Sequence, residues 1–204
     1  MSALLSVDDL SLVFKTRHGT VKALQDVSLS IQRGEIVGVV GESGSGKSVM
    51  AYTVMGLHDA AARIDRGQIS FGGTDMLKAT PSQLGEIRGR ELSMIFQSPR
   101  TALNPIRKVG LQIEDVLKQH AAIRSQDLRK QAVLALERVR IPDAERRYDA
   151  YPFELSGGMC QRVMIAIALA CSPSMLIADE PTTGLDVTTQ AVIMDLIREM
   201  SRST

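Results

Sequence analysis

The stretch that decides the fold runs from residue 35 to residue 57. It begins Glu35-Ile-Val-Gly-Val-Val40 and continues Gly41-Glu-Ser-Gly-Ser-Gly46-Lys47-Ser48. The first six residues, set off by Gly34, contain a short continuous apolar run, which predicts a strand covered on both faces. The next eight fit the pattern G-x-x-x-x-G-K-[S/T], and a helix is predicted from Gly46 to about Leu57. Strand, glycine-rich loop and helix in that order are the context in which the pattern cradles phosphate. Glycines let backbone N–H groups approach anionic oxygens without a Cβ in the way. The helix N-terminus adds its positive end. In such a loop Lys47 reaches the β- and γ-phosphates and the Ser48 hydroxyl ligates Mg²⁺.

On the N-terminal side, Leu10, Leu12 and Phe14 alternate with polar or smaller residues, Arg17-His18-Gly19 supplies a turn, and Val27, Leu29 and Ile31 alternate again. This predicts an antiparallel, half-buried pair. On the C-terminal side come β signals around Ile69 and Phe71, a Gly72-Gly73 turn and an apolar patch at residues 92–96. From Val109 to Arg140 the period becomes helical. Ile113, Val116, Leu117 and His120 form one stripe, and Leu128, Ala132, Ala135, Leu136 and Val139 a second. Pro142 and Pro152 bracket a predicted loop, and a helix is predicted from Ser156 to about Ala170. A second apolar strand comes next at residues 174–178, then a last helix over residues 188–200. Strands alternating with helices predict an α/β fold with a mainly parallel core sheet, preceded by an antiparallel β region.

Two further constellations carry chemistry. Met175-Leu-Ile-Ala-Asp179-Glu180 delivers two carboxylates to the end of a strand, where ligands of open α/β sheets bind. There Asp179 would hold Mg²⁺ through water and Glu180 would polarise an attacking water. Leu155-Ser156-Gly157-Gly158-Met159-Cys160-Gln161-Arg162 reads as a helix start with Ser156 as N-cap. Two glycines just inside a helix cost ~1 kcal/mol each relative to Ala, so something must need them. Close approach of an anion to the helix N-terminus is a sufficient reason. One chain already has one nucleotide loop, so this second anion site suggests a nucleotide held by a partner. Gln161 and Arg162 read either as residues that orient this helix or, as the commoner case, as its solvated face.

Composition narrows the classes. The 204 residues carry 24 Lys+Arg against 23 Asp+Glu, a net charge of +1, with no basic footprint for nucleic acid. Aromatics are 3% and Trp is absent, which disfavours base-stacking platforms and a membrane belt. The two cysteines, Cys160 and Cys171, form neither a disulfide framework nor a zinc set. The longest apolar run, Val163 to Cys171, is nine residues, against the ~20 that a membrane span needs.

Taken together the motifs resemble the ATP-binding subunit of an ABC transporter. GESGSGKS is similar to its phosphate loop, LSGGMCQR to its signature, MLIADE to its acidic strand, Pro181-Thr-Thr-Gly-Leu-Asp186 to its D-loop, and Gln97 in Met94-Ile-Phe-Gln97 to its Q-loop. Three stretches, MIFQSPRTALNPIRKVGLQI (94–113), YPFELSGGMCQRVMIAIALA (151–170) and ADEPTTGLDVTTQA (178–191), most resemble the oligopeptide, dipeptide and nickel importer group.

The resemblance implies a P-loop NTPase fold. It would be a single domain over residues 1–204, with residues 97–156 as a helical subdomain and residues 1–96 and 157–204 as the core. It implies ATP and Mg²⁺ as cofactors. Gly41, Glu42, Ser43, Gly44, Ser45, Gly46, Lys47 and Ser48 would hold ATP, and Ser48, Gln97 and Asp179 would hold Mg²⁺. Glu180, Lys47 and Gln97 would serve catalysis. Two ATP-binding subunits, identical or different, would face head to tail. Ser156, Gly157 and Gly158 of one would meet the γ-phosphate held by Lys47 of the other, and Asp186 would cross the interface. Phe14 falls where the family has an adenine-stacking aromatic, and equally reads as a core strand residue. The implied partners are integral-membrane permease subunits and, indirectly, an external solute-binding protein, at the cytoplasmic face of the membrane. The implied role is import of a solute, peptide or nickel, with no nucleic-acid partner. Two alternatives stand beside it: a non-transport ABC ATPase acting on nucleic acid or ribosomes, and a regulatory subunit with weak turnover. The resemblance also implies a further strand and a switch histidine after the last helix; neither occurs before Thr204, so the domain reads as incomplete at its C-terminus or, alternatively, as a degenerate subunit.

Overall fold

The computed structural model describes residues 3–17, 19–182 and 187–203. The chain forms two compact units, Met1–Gly85 and Glu86–Thr204.

In the first unit, β1 (Leu5–Thr16) and β2 (Gly19–Ile31) form the expected antiparallel pair. Leu10 and Leu12 are buried, as the alternation requires, while Phe14 is half-buried. β3 (Ala62–Phe71) flanks β1 on its other side, with Leu5 opposite Phe71, and β4 (Thr74–Asp75) completes the sheet in the order β2-β1-β3-β4. The β3–β4 connection is Gly72-Gly73 with φ of 55° and 88°, the two positive values a tight hairpin turn demands. β1 and β2 are interrupted where Asp9 and Asp26 take positive φ. The Asp9 and Asp26 N–H groups donate to the Ser28 and Ser11 hydroxyls, both at 3.0 Å, so side chains stand in for ladder bonds lost at the irregularity. α1 (Lys47–Val54) comes directly after the glycine loop.

One expectation fails here. Residues 35–40 form no strand, and Ile36 and Val40 are 70% and 94% exposed. A β-rich sequence becomes a buried strand only when neighbouring strands supply a ladder on both edges. Among the described residues none hydrogen-bonds to this run as a strand.

α2 (Pro81–Ile87) carries the chain into the second unit. There β5 (Leu92–Ile95) and β6 (Met175–Ala178) pair in parallel, Ile95 opposite Ala178. Parallel strands need a long crossover, and helices supply it. They are α3 (Pro99–Ala102), α4 (Val109–His120), α5 (Leu128–Arg138), α6 (Ala144–Tyr148) and α7 (Gly157–Leu169), with α8 (Val187–Ser203) after β6. The two predicted stripes supply the core: Ile113 and Leu117 from α4, and Ala132 and Leu136 from α5, are buried with Val163 and Ile165 of α7. The segment between Pro142 and Pro152 is not only loop, since five of its residues form α6. Its Tyr148 ring lies over Gly110, where any Cβ would fall 2.0 Å from Cδ2. Arg129 sits 4.0 Å over that ring, and burial with the Glu114 hydrogen bond pushes the Tyr148 phenol up to about 12. Lys108 and Arg129 both donate to Asp149 and hold its carboxyl below the usual range. No helix among the described residues is long and apolar enough to cross a membrane.

Candidate functional site

In the first unit the loop from Gly41 closes on its own lysine. The Lys47 ammonium donates to the carbonyls of Gly41 (2.7 Å) and Glu42 (2.8 Å) and to Ser45 Oγ (3.4 Å), while Ser45 N–H donates to Glu42 O (3.2 Å). Ser43 lies in this turn, and Gly44 and Gly46 take φ of 80° and 93°, left-handed values that glycine adopts without strain. Gly46 has a second reason to be glycine: a Cβ there would fall 2.6 Å from the Ala23 carbonyl of β2. Lys47 and Ser48 then open α1, so the loop runs directly into the helix N-terminus. Phe14 pairs across to Val21 and Ala62 in the sheet of this unit.

In the second unit the parallel pair sets the chemistry. Asp179 N–H donates to the Ile95 carbonyl at 3.0 Å, extending the ladder one residue past β6 and leaving Asp179 buried. Glu180 comes next with φ 48°, exposed, and Gln97 Nε2 donates to its Oε2 at 2.8 Å. The two residues are 83 apart in sequence. They meet because β5 and β6 run side by side in the same direction and end together.

The signature stretch forms as its composition predicts. Ser156 is the N-cap of α7, accepting from Met159 N–H at 3.3 Å. Gly157 and Gly158 form its first turn, and a Cβ on Gly157 would meet nothing within 4 Å. Packing among the described residues therefore does not require that glycine. Cys160 is fully buried, donates to the Pro152 carbonyl at 3.2 Å, and burial pushes its thiol up. Asp186 and the rest of the segment 183–186, like His18, lie outside the described residues.

Gln161 corrects the sequence reading. It is not on a solvated face: it is 2% exposed, and its Nε2 donates to the Pro181 carbonyl at 2.7 Å. Gln190 of α8, not singled out in the sequence, donates to the Thr182 carbonyl at 3.3 Å. The sequence does hold a signal for Gln161. It stands three, four and seven residues before Met164, Ile165 and Ala168, all buried, and so lies on the apolar stripe of α7.

Residues 24–183 match the family described as "ABC transporter". The chain belongs to that family. Among ABC transporter relatives, it is 51% identical over 201 residues to the "Probable D,D-dipeptide transport ATP-binding protein DdpD" of Escherichia coli (strain K12), covering 98% of this chain and 61% of that protein. It is 48% identical over 200 residues to the "Oligopeptide transport ATP-binding protein OppD" of the same organism, covering 98% and 59%. The chain thus spans about three fifths of the length of these curated relatives. Among solved structures it is similar to the dimeric ATP-binding cassette MJ0796 in a post-hydrolysis state bound to ADP and Pi. That match has a TM-score of 0.87 and 29% identity, and covers 98% of this chain and 83% of that one. The α/β fold of a P-loop NTPase is thereby established for this ABC transporter chain.

Proposed function

We propose that this chain is the ATP-binding and ATP-hydrolysing part of a peptide importer. It would work as a dimer of such subunits on the cytoplasmic face of a membrane, against integral permease subunits served by an external solute-binding protein. The relatives' names for dipeptide and oligopeptide transport support the substrate class, and the dimeric cassette supports the pairing. The domain reading extends to residues 1–204 as one ATP-binding domain with residues 97–156 as its helical part, in keeping with α3 to α6 lying inside that range.

The observation that carries the catalytic reading is the Gln97–Glu180 hydrogen bond at the ends of two parallel strands. Residues 41–48 would hold the phosphates through backbone N–H groups, with Lys47 exchanging loop carbonyls for β- and γ-phosphate oxygens. Half-buried Phe14 would offer its ring to adenine. Each residue proposed for Mg²⁺ offers a hard oxygen of the kind that ion prefers: the Ser48 hydroxyl, the Gln97 carboxamide oxygen, whose neighbouring nitrogen donates to Glu180, and, through water, the Asp179 carboxylate. When bound, Mg²⁺ would neutralise charge on the phosphates. Glu180 directs a water at the γ-phosphorus and accepts its proton as the bond to the ADP oxygen breaks. Ser156, Gly157 and Gly158 of a second subunit would meet the same γ-phosphate at the N-terminus of α7, and Asp186 would lie at that interface.

The test is hydrolysis and uptake by the full-length protein reconstituted with its permease subunits in vesicles. ATP hydrolysis coupled to peptide accumulation is expected. Absence of hydrolysis overturns the enzymatic reading, and hydrolysis without peptide-dependent accumulation overturns the import reading.

A further inference from the structure

We propose that Gln161 and Gln190 are positioning residues whose side-chain amides hold the turn that presents Glu180. This makes the helix beginning at Ser156 a lever on Glu180. The inference rests on the reading of Glu180 as the residue that directs water.

Glu180 has a left-handed backbone, which a non-glycine residue keeps only where its surroundings over-determine it. Beyond it the chain leaves the ladder and turns. Pro181 has no N–H to give, and the carbonyls of Pro181 and Thr182 each accept from a glutamine amide: Gln161 Nε2 at 2.7 Å from α7 and Gln190 Nε2 at 3.3 Å from α8. Two helices thus grip two successive carbonyls directly after the strained residue. Gln161 is 2% exposed, so water cannot readily replace its bond, and a buried amide left unpaired is unfavourable. A hydrogen bond from Gln97 holds the Glu180 carboxylate itself. Gln161 stands five residues after Ser156, little more than one helical turn along α7. A helix is stiff over that distance. A shift of the Ser156-Gly157 end therefore moves Gln161, and with it the Pro181 carbonyl next to Glu180. An anion seated on α7 would in this way be felt at the water-directing carboxylate.

The experiment uses the full-length protein assembled with its permease subunits. ATP affinity is measured calorimetrically, and kcat and KM for hydrolysis are measured on Gln161→Met, Gln190→Met and Glu180→Gln. Met keeps the volume of Gln and removes the donor. For Gln161→Met, kcat is expected to fall about tenfold while ATP affinity and KM stay within about twofold, with a smaller fall for Gln190→Met. Unchanged kcat in both glutamine variants, with Glu180→Gln inactive, overturns the positioning role alone. So does a rise in KM at unchanged kcat. Full turnover in Glu180→Gln overturns the underlying reading and this inference with it. If Gln161→Met gives no cooperative melt, the half-buried Gln190→Met decides, and parental kcat there overturns the proposal.

Discussion

The Lys47 ammonium donates to the Gly41 carbonyl at 2.7 Å across its own loop. With the Glu42 carbonyl as a second acceptor, the loop is drawn around a positive charge of the strength a phosphate oxygen needs. For Lys47→Ala the expected outcome is a loss of ATP affinity of about tenfold or more, from one lost charge-assisted hydrogen bond. Calorimetric titration with ATP checks it, and parental affinity would remove Lys47 from the phosphate site.

Glu180→Gln keeps the shape of the side chain and removes the proton acceptor. ATP binding is expected to persist while turnover falls by about 10²–10⁴, the range for a lost general base. Single-turnover hydrolysis measures it, and a fall of less than about tenfold would place the base elsewhere.

Gly157→Ala separates function from stability. Among the described residues nothing comes within 4 Å of the position where the Cβ would stand, and alanine favours a helix over glycine. The variant is expected to melt no lower than the parent, yet to lose ATP turnover and nucleotide-driven dimer formation, because the methyl group stands where an anion would approach. A lowered melting temperature with normal turnover would make Gly157 a residue of the fold only.

Gly110→Ala tests the core of the second unit. Its Cβ would fall 2.0 Å from the Tyr148 ring, which Arg129 covers on one face. Overpacking of this kind costs about 1–3 kcal/mol, and at this chain length each kcal/mol shifts Tm by about 2–4 °C. A drop of several degrees is expected in differential scanning calorimetry. An unchanged Tm would mean that the ring moves aside freely.

Local pattern makes the helices legible. The stripes of Ile113 and Leu117 and of Ala132 and Leu136 repeat often enough to be read without knowing their partners, and Ser156 caps α7 as its side chain suggests. α6 is hidden because five residues between two prolines hold too few turns for a period to show. The run 36–40 reads as a buried strand because its β propensity is written locally, whereas the ladder that would bury it depends on other segments. The phosphate loop and the Asp179-Glu180 strand end are legible as patterns of residue type. The Gln97–Glu180 contact is not, since it arises from the parallel register of β5 and β6. Polarity alone misplaces Gln161, although its position on the apolar stripe points the other way.

The uncovered run Ile36-Val-Gly-Val-Val40 bears on how this chain behaves in a test tube. Five residues without a charge or a proline, rich in branched side chains and paired with no strand among the described residues, form an adhesive strip. Solutions of the 204-residue chain are expected to cloud through copies adding strand to strand at this strip, and a Val39→Lys exchange is expected to keep them clear. Light scattering over time would register the difference.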